Sequence, residues 1–184
     1  MTNTVALVTG ASKGVGRGAA RALGSKGMTV YLTARSEEAL KAAAVEVDAA
    51  GGKGIAIVCD HRDDAQVKAV FDQIEREQGR LDLLLNNAAA VYGDELAKPG
   101  PFWEKDLKLA DMIVVGLRSD YVAAYYAAPL MIRTGASLIA NISFYGAVSY
   151  FVGPGYGAAK AGTDKMVHDM AIDFVDTDVS IVSY

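Results

Sequence analysis

Tyr156 and Lys160 stand four residues apart in a stretch of helical composition, so their side chains share one helix face. An ammonium near a phenol favours the phenolate, drawing a group whose ordinary pKa is about 10 toward use as a general acid or base. Ser143 closes an apolar run that reads as a strand. From a strand's carboxyl end its hydroxyl can donate a hydrogen bond to a substrate oxygen as charge develops there. A second constellation lies near the start of the chain, where Thr9-Gly10-Ala11-Ser12-Lys13-Gly14-Val15-Gly16 leads from an apolar run into a helix. Glycines there let backbone approach a pyrophosphate closely, and the helix start offers unpaired N–H groups and a positive dipole end. The spacing is Gly-x3-Gly-x-Gly rather than Gly-x-Gly-x-x-Gly, and a tight strand-to-helix turn by itself would account for one or two of the glycines.

These residues resemble the short-chain dehydrogenase/reductase family, and the resemblance runs from Thr4 to Tyr184. Asn86-Asn87-Ala88-Ala89 stands where the family usually reads Asn-Asn-Ala-Gly, Ser143 opens a Ser-x-x-Gly, and Tyr156-Gly157-Ala158-Ala159-Lys160 follows at the family's interval. The resemblance implies Ser143, Tyr156 and Lys160 as catalytic group, with hydride passing from a nicotinamide to a carbonyl carbon. Tyr156 would deliver the proton, and Lys160 would lower its pKa and hold the ribose hydroxyls. It also implies a cofactor site made of Gly10, Ser12, Lys13, Gly14, Val15 and Gly16, with Asp60 against the adenine, Asn87, Tyr156 and Lys160. Two positions depart from the family pattern. Gly116 stands where many members carry a catalytic asparagine that helps hold a water against the lysine, and Ala89 replaces a glycine near the nicotinamide ribose. The run Val115-Gly116-Leu117-Arg118 is similar to that of a branch containing dehydrogenase/reductase family member 1. The alternative that these departures motivate is a dinucleotide-binding regulatory or scaffold protein with impaired turnover.

Binders of NAD(H) in this kind of fold place an acid after the second strand to hold the ribose 2′-hydroxyl. Here Val30-Tyr31-Leu32-Thr33-Ala34-Arg35 has no acid and ends on a cation. A cation just before a helix start opposes the dipole, whereas a 2′-phosphate would explain it. Lys13 is the second basic group that NADP-preferring relatives tend to carry. The reading is therefore NADP(H) ahead of NAD(H), against the alternative that Arg35 pairs with a neighbouring glutamate.

The elements that must position these residues follow from periodicity. Apolar runs at Val5 to Val8, Val30 to Leu32, Ile55 to Val58, Leu81 to Leu85, Leu138 to Ile142 and Val179 to Val182 read as six strands buried on both faces. Between them, residues 15 to 26, 37 to 50, 64 to 79, 103 to 133 and 155 to 176 carry helical spacing. Ser36 and Asp63 stand as helix caps, with Gly27, Gly79 and Gly135 as stops. The alternation predicts an α/β, Rossmann-type, doubly wound parallel sheet in one dinucleotide-binding domain over residues 1–184, with ligands at the strands' carboxyl ends.

A hydrophobic share of 52% supplies the core, and a net charge of -4 gives no basic field for nucleic acid or an anionic membrane. The two histidines, His61 and His168, show no metal-ligand spacing, so no metal is expected. Cys59 reads as an inert core thiol. With neither a signal peptide nor a run of membrane-spanning length, a cytoplasmic protein is expected. The helical stretches 103 to 133 and 155 to 176 are expected to pair subunits into a homodimer or homotetramer, as in relatives. The run Val179 to Tyr184 stops just before the family's next turn, so the natural protein is expected to continue.

Overall fold

The continuous apolar runs become six parallel strands in a computed structural model that describes residues 4–184. In chain order they are β1 (Val5–Thr9), β2 (Thr29–Ala34), β3 (Lys53–Val58), β4 (Leu83–Asn86), β5 (Ser137–Asn141) and β6 (Val179–Ser183). Their spatial order is β3-β2-β1-β4-β5-β6, so the sheet reverses direction of growth between β1 and β4. Pairing Val5 with Thr29, Ala6 with Leu83 and Asn86 with Asn141 brings the carboxyl ends of the central strands to one rim.

Five longer helices cover the sheet: α1 (Gly14–Gly24), α2 (Glu37–Ala49), α3 (Asp64–Gln78), α6 (Ser119–Thr134) and α7 (Pro154–Asp173). Alternate side chains of β1 enter different cores. Val8 packs with Ala20, Leu40 and Val47 beneath α1 and α2, whereas Val5 and Leu7 pack with Ile74, Ala127 and Val167 beneath α3, α6 and α7. Burial on both faces is why these strands read as unbroken apolar runs. Cys59 is buried in the second of these layers, and its thiol is pushed up to about 12, by desolvation first and then by Asp60 and Asp63.

Helix ends follow the expected capping residues at α3 and at Gly135 after α6, whereas α1 ends at Gly24, ahead of Gly27. Asp63 accepts from the backbone N–H groups of Ala65 and Gln66, and Gly79 ends α3 in the left-handed region. Ser36 makes no side-chain cap bond, and only its carbonyl joins α2.

The expected helix over 103 to 133 is corrected. Residues 102–110 form two short turns separated by extended backbone at Lys105 and Asp106, and Asp106 caps the second by accepting from the Lys108 N–H. Two brief helical turns, α4 (Gly93–Leu96) and α5 (Asp111–Ile113), flank this segment. The chain then breaks again at Val115 and Gly116, whose φ values are -112° and 136°, so α6 begins only at Ser119. Leu109, Met112, Ile113 and Leu117 keep spacings of three and four across the break at Val115 and Gly116, which is what made the segment read as one helix.

His61, just after β3, is buried and shares a 2.8 Å hydrogen bond with Thr33 Oγ1 on β2. Desolvation holds its imidazole down at about 4, with Asp60 pulling the other way. A group depressed from 6.5 contributes stability that is complete above pH 6.5 and is lost as pH falls toward 4, on the order of 3 kcal/mol in all. Urea midpoints measured from pH 7 to pH 4 should therefore fall more steeply for the natural chain than for His61→Gln. Parallel acid limbs would show that His61 is not buried neutral.

Candidate active site

At the rim where the sheet reverses, Thr9 ends β1 and its hydroxyl accepts from the backbone N–H groups of Asn87 (2.9 Å) and Ala88 (3.0 Å). The Asn87 side-chain amide returns the tie, donating to the carbonyls of Thr9 (2.9 Å) and Gly10 (3.1 Å). This lashing leaves no room for side chains at two of the turn's glycines. A Cβ on Gly10 would lie 2.8 Å from the Ala88 Cα, and one on Gly16 would lie 2.4 Å from the Asn87 amide nitrogen. Asn87, expected against the cofactor, thus uses its amide N–H donors to shape the turn. The start of α1 has no side-chain cap and no acid in its first turn, so its N–H groups remain available to an anion. Lys13 and Val15 are exposed there with Gly14, Ser12 is half-buried, and Arg17 is taken up by Glu46 at 2.7 Å.

Arg35 follows β2 and is exposed. The glutamate pairing weighed for it is not found, since Arg35 enters no ion pair among the described residues and Glu37 is held by Lys41 at 2.6 Å. Asp60, after β3, is half-buried. Its carboxylate accepts from the Arg62 N–H at 3.0 Å, and its own N–H donates to Gln66 Oε1. The Arg62 guanidinium spans from there to Asp111 (2.9 Å) and the Tyr92 hydroxyl (3.0 Å), a cross-link between loops that the sequence did not signal.

Ser143 follows β5, and its N–H donates to the carbonyl of Tyr184. Its hydroxyl is buried with no hydrogen-bond partner. One neighbour in sequence touches each of the other two expected residues. The Ile142 carbonyl accepts from Lys160 Nζ at 2.5 Å, and the Phe144 ring stands 6.3 Å from that of Tyr156. Phe151 flanks Tyr156 at 6.2 Å, and a Cβ on Gly146 would come 2.9 Å from its ring. The residues on either side of Ser143 thus lie against Lys160 and Tyr156.

The expected electrostatics of this group need correction. Burial pushes the Tyr156 phenol up, and Lys160 does not draw it down. The reason is geometric: Lys160 Nζ lies 6.0 Å from the ring centroid, bonded to the Ile142 carbonyl. Lys160 is itself lowered by desolvation, with Asp120 and Asp164 acting to raise it. Asp120, absent from the sequence reading, is 3% exposed. Its carboxyl is pushed up to about 7 by desolvation, with Lys160 and then Ser119 pulling back.

The glycine turn, the strand order and the Ser143, Tyr156 and Lys160 cluster agree with the family match. Residues 4–184 fit the family model described as short chain dehydrogenase. The chain belongs to the short-chain dehydrogenase/reductase family. A relative from Homo sapiens, dehydrogenase/reductase SDR family member 1, is 41% identical over 186 residues, covering 100% of this chain and 59% of its own length. The 1-cyclohexenylcarbonyl-CoA reductase of Streptomyces collinus is 33% identical over 181 residues, covering 96% of this chain and 61% of its own. A metagenomic short-chain oxidoreductase solved in complex with NADP superposes with a TM-score of 0.89 at 33% identity, over 100% of this chain and 81% of that one. The chain therefore spans about three fifths of the length of the human relative.

The two departures from the short-chain dehydrogenase/reductase pattern adjoin one another. A Cβ on Gly116 would meet the Ala89 Cβ at 3.8 Å, so space exists there. The obstacle is the backbone, because φ of 136° is one that side-chain-bearing residues rarely adopt. Installing the common asparagine by Gly116→Asn should therefore destabilise the chain by about 1–3 kcal/mol in urea unfolding. An unchanged or raised midpoint would show that the turn relaxes at no cost.

Proposed function

We propose that this chain carries the cofactor-binding and reacting part of an NADP(H)-dependent oxidoreductase that interconverts a carbonyl and an alcohol, all within a single dinucleotide-binding domain. The observation that carries the reading is the buried Ser143 hydroxyl, unpartnered and set between the residues that touch Tyr156 and Lys160. A buried hydroxyl without a partner costs free energy unless something else uses it, and a substrate oxygen fits that need. Tyr156 exchanges the proton with that oxygen. Lys160 offers its remaining N–H donors to the ribose hydroxyls and its charge to the phenolate that forms. The nicotinamide, when bound, supplies or accepts the hydride.

The chain's own residues suit such a cofactor. Gly10 and Gly16 form a cradle that Cβ atoms would fill, and the uncapped start of α1 lies beside it with Ser12, Lys13, Gly14 and Val15. Exposed, unpaired Arg35 favours a 2′-phosphate, hence NADP(H) ahead of NAD(H), and Asp60 would border the adenine. The phenol's upward shift is then a property of the uncharged site. Beside a positively charged oxidised nicotinamide, Tyr156 would return toward the phenolate.

The second reading, a dinucleotide-binding regulator without turnover, draws on Gly116 and Ala89. The Ser143 hydroxyl weighs against it, because a site kept only for binding has no use for it. No helix among the described residues is long and apolar enough to cross a membrane. We place the protein in the cytoplasm as a homodimer or homotetramer joined through α6 and α7, where Tyr121, Tyr125, Ile132 and Ile172 are exposed.

Tyr156→Phe should abolish NADPH oxidation against a panel of ketones, aldehydes and quinones while NADPH affinity stays within about a few-fold, since the ring's packing is kept. Retention of most of the rate would remove Tyr156 from the proton's path. Arg35→Asp should weaken NADPH far more than NADH, by about tenfold or more, by setting a carboxylate against the 2′-phosphate. Equal loss for both cofactors would make Arg35 structural.

A further inference from the structure

Six of the buried polar residues gather in one place beneath the rim: Asn86, Ser119, Asp120, Asn141, Lys160 and Thr163. Hydrogen bonds tie the others together across four elements, and Lys160 reaches in to the Ile142 carbonyl. The Asn86 amide donates both to the Asp120 carbonyl on α6 (3.3 Å) and to Asn141 Oδ1 on β5 (2.9 Å). Thr163 Oγ1 on α7 donates to the Gly116 carbonyl (3.1 Å), and the Gly116 N–H donates to Ser119 Oγ (3.1 Å). The start of α6 is thus fixed against the Lys160 face of α7.

Within this cluster the charges are incompletely paired. Lys160 is 7% exposed, and the Ile142 carbonyl takes only one of its three N–H donors. A buried ammonium with carbonyl partners alone is costly, and a counter-charge must offset that cost. The acids that bear on it are Asp120 from α6 and Asp164 one turn along α7, while β4 and β5 contribute only the amides of Asn86 and Asn141. Asp120 is the deeper of the two, and its carboxylate has one weak partner of its own, Ser119 Oγ at 3.4 Å.

We propose that Asp120 is a positioning residue that acts through Lys160, a buried counter-charge that keeps the lysine an ammonium in a site that would otherwise neutralise it. No ion pair joins Asp120 to Lys160 among the described residues, so the support is through space, and the ammonium's hydrogen bond is to the Ile142 carbonyl. Burial pushes the Asp120 carboxyl up to about 7, so on the alkaline side of that it carries the charge that works against the desolvation of Lys160. The proposal rests on the oxidoreductase reading for its purpose, but the ionisation of Lys160 can be measured without turnover.

Competitive amine labelling of the whole chain across alkaline pH, read by mass spectrometry of the Lys160 peptide, gives that lysine's midpoint directly. In Asp120→Asn it should fall by about one unit or more, a tenfold change in proton affinity, while exposed Lys165 in the same digest does not move. Asp120→Glu, which restores the charge, should return it toward the natural value. The alkaline limb of kcat/KM should move down with the Lys160 midpoint. An unmoved Lys160 midpoint in folded Asp120→Asn overturns the proposal, and so does a lowered rate with an unshifted pH profile. A shifted midpoint in a chain that turns over nothing upholds the counter-charge and overturns the oxidoreductase reading instead. If Asp120→Asn does not fold, Lys160→Met decides by reciprocity: the Asp120 carboxyl, followed by carbon NMR, should then hold its proton to higher pH, and an unchanged titration overturns the proposal.

Discussion

A parallel sheet that grows in both directions from its middle has helices leaving to opposite faces at the reversal, and a crevice opens between them. Here that crevice lies between β1 and β4, and the Thr9 hydroxyl with the Asn87 amide closes its floor through four hydrogen bonds. Everything above depends on this tie. It fixes the path of the glycine turn, removes the space for side chains at Gly10 and Gly16, and aims the start of α1 along the rim. It also sets the depth of the site, because neighbouring β5 is in register with β4 and delivers Ser143 two residues beyond Asn141.

The second constraint is electrostatic. Placing Lys160 one turn after Tyr156 on α7 puts the ammonium under the rim, where desolvation works against its charge. The chain answers with the Ile142 carbonyl just after β5 and with acids on α6 and α7. The phenol of Tyr156, enclosed by Phe144, Phe151 and Gly146, is held high by that burial, and under the proposed function a cationic nicotinamide would draw it back. The site is in this sense poised: the lysine is maintained by the protein and the tyrosine by what binds.

Much of this was legible in the residues. Apolar runs such as Val5 to Val8 and the glycine stops carry their own local signal, because burial on both faces and left-handed backbone demand particular residue types. Tyr156 and Lys160 were legible because a helix turns spacing into proximity. Asp120 was not, since its partner lies 40 positions away on a helix that only the fold brings near. The break at Val115 and Gly116 escaped for the opposite reason: apolar spacing continued on both sides of it, and a single glycine did not outweigh that pattern. Asn87 was legible as a site residue, but its work in holding the turn became clear only with Thr9 beside it.

The central claim is that hydride moves between a nicotinamide and a carbonyl carbon in this crevice. The most direct measurement uses NADPH deuterated at its transferable position, incubated with the chain and a panel of carbonyl compounds, with mass spectrometry of the alcohols formed. The account predicts one deuterium on the carbinol carbon of at least one product, and none with Tyr156→Phe. Alcohol formed without deuterium from either face of the nicotinamide, or tight NADPH binding with no alcohol from any compound, would contradict it.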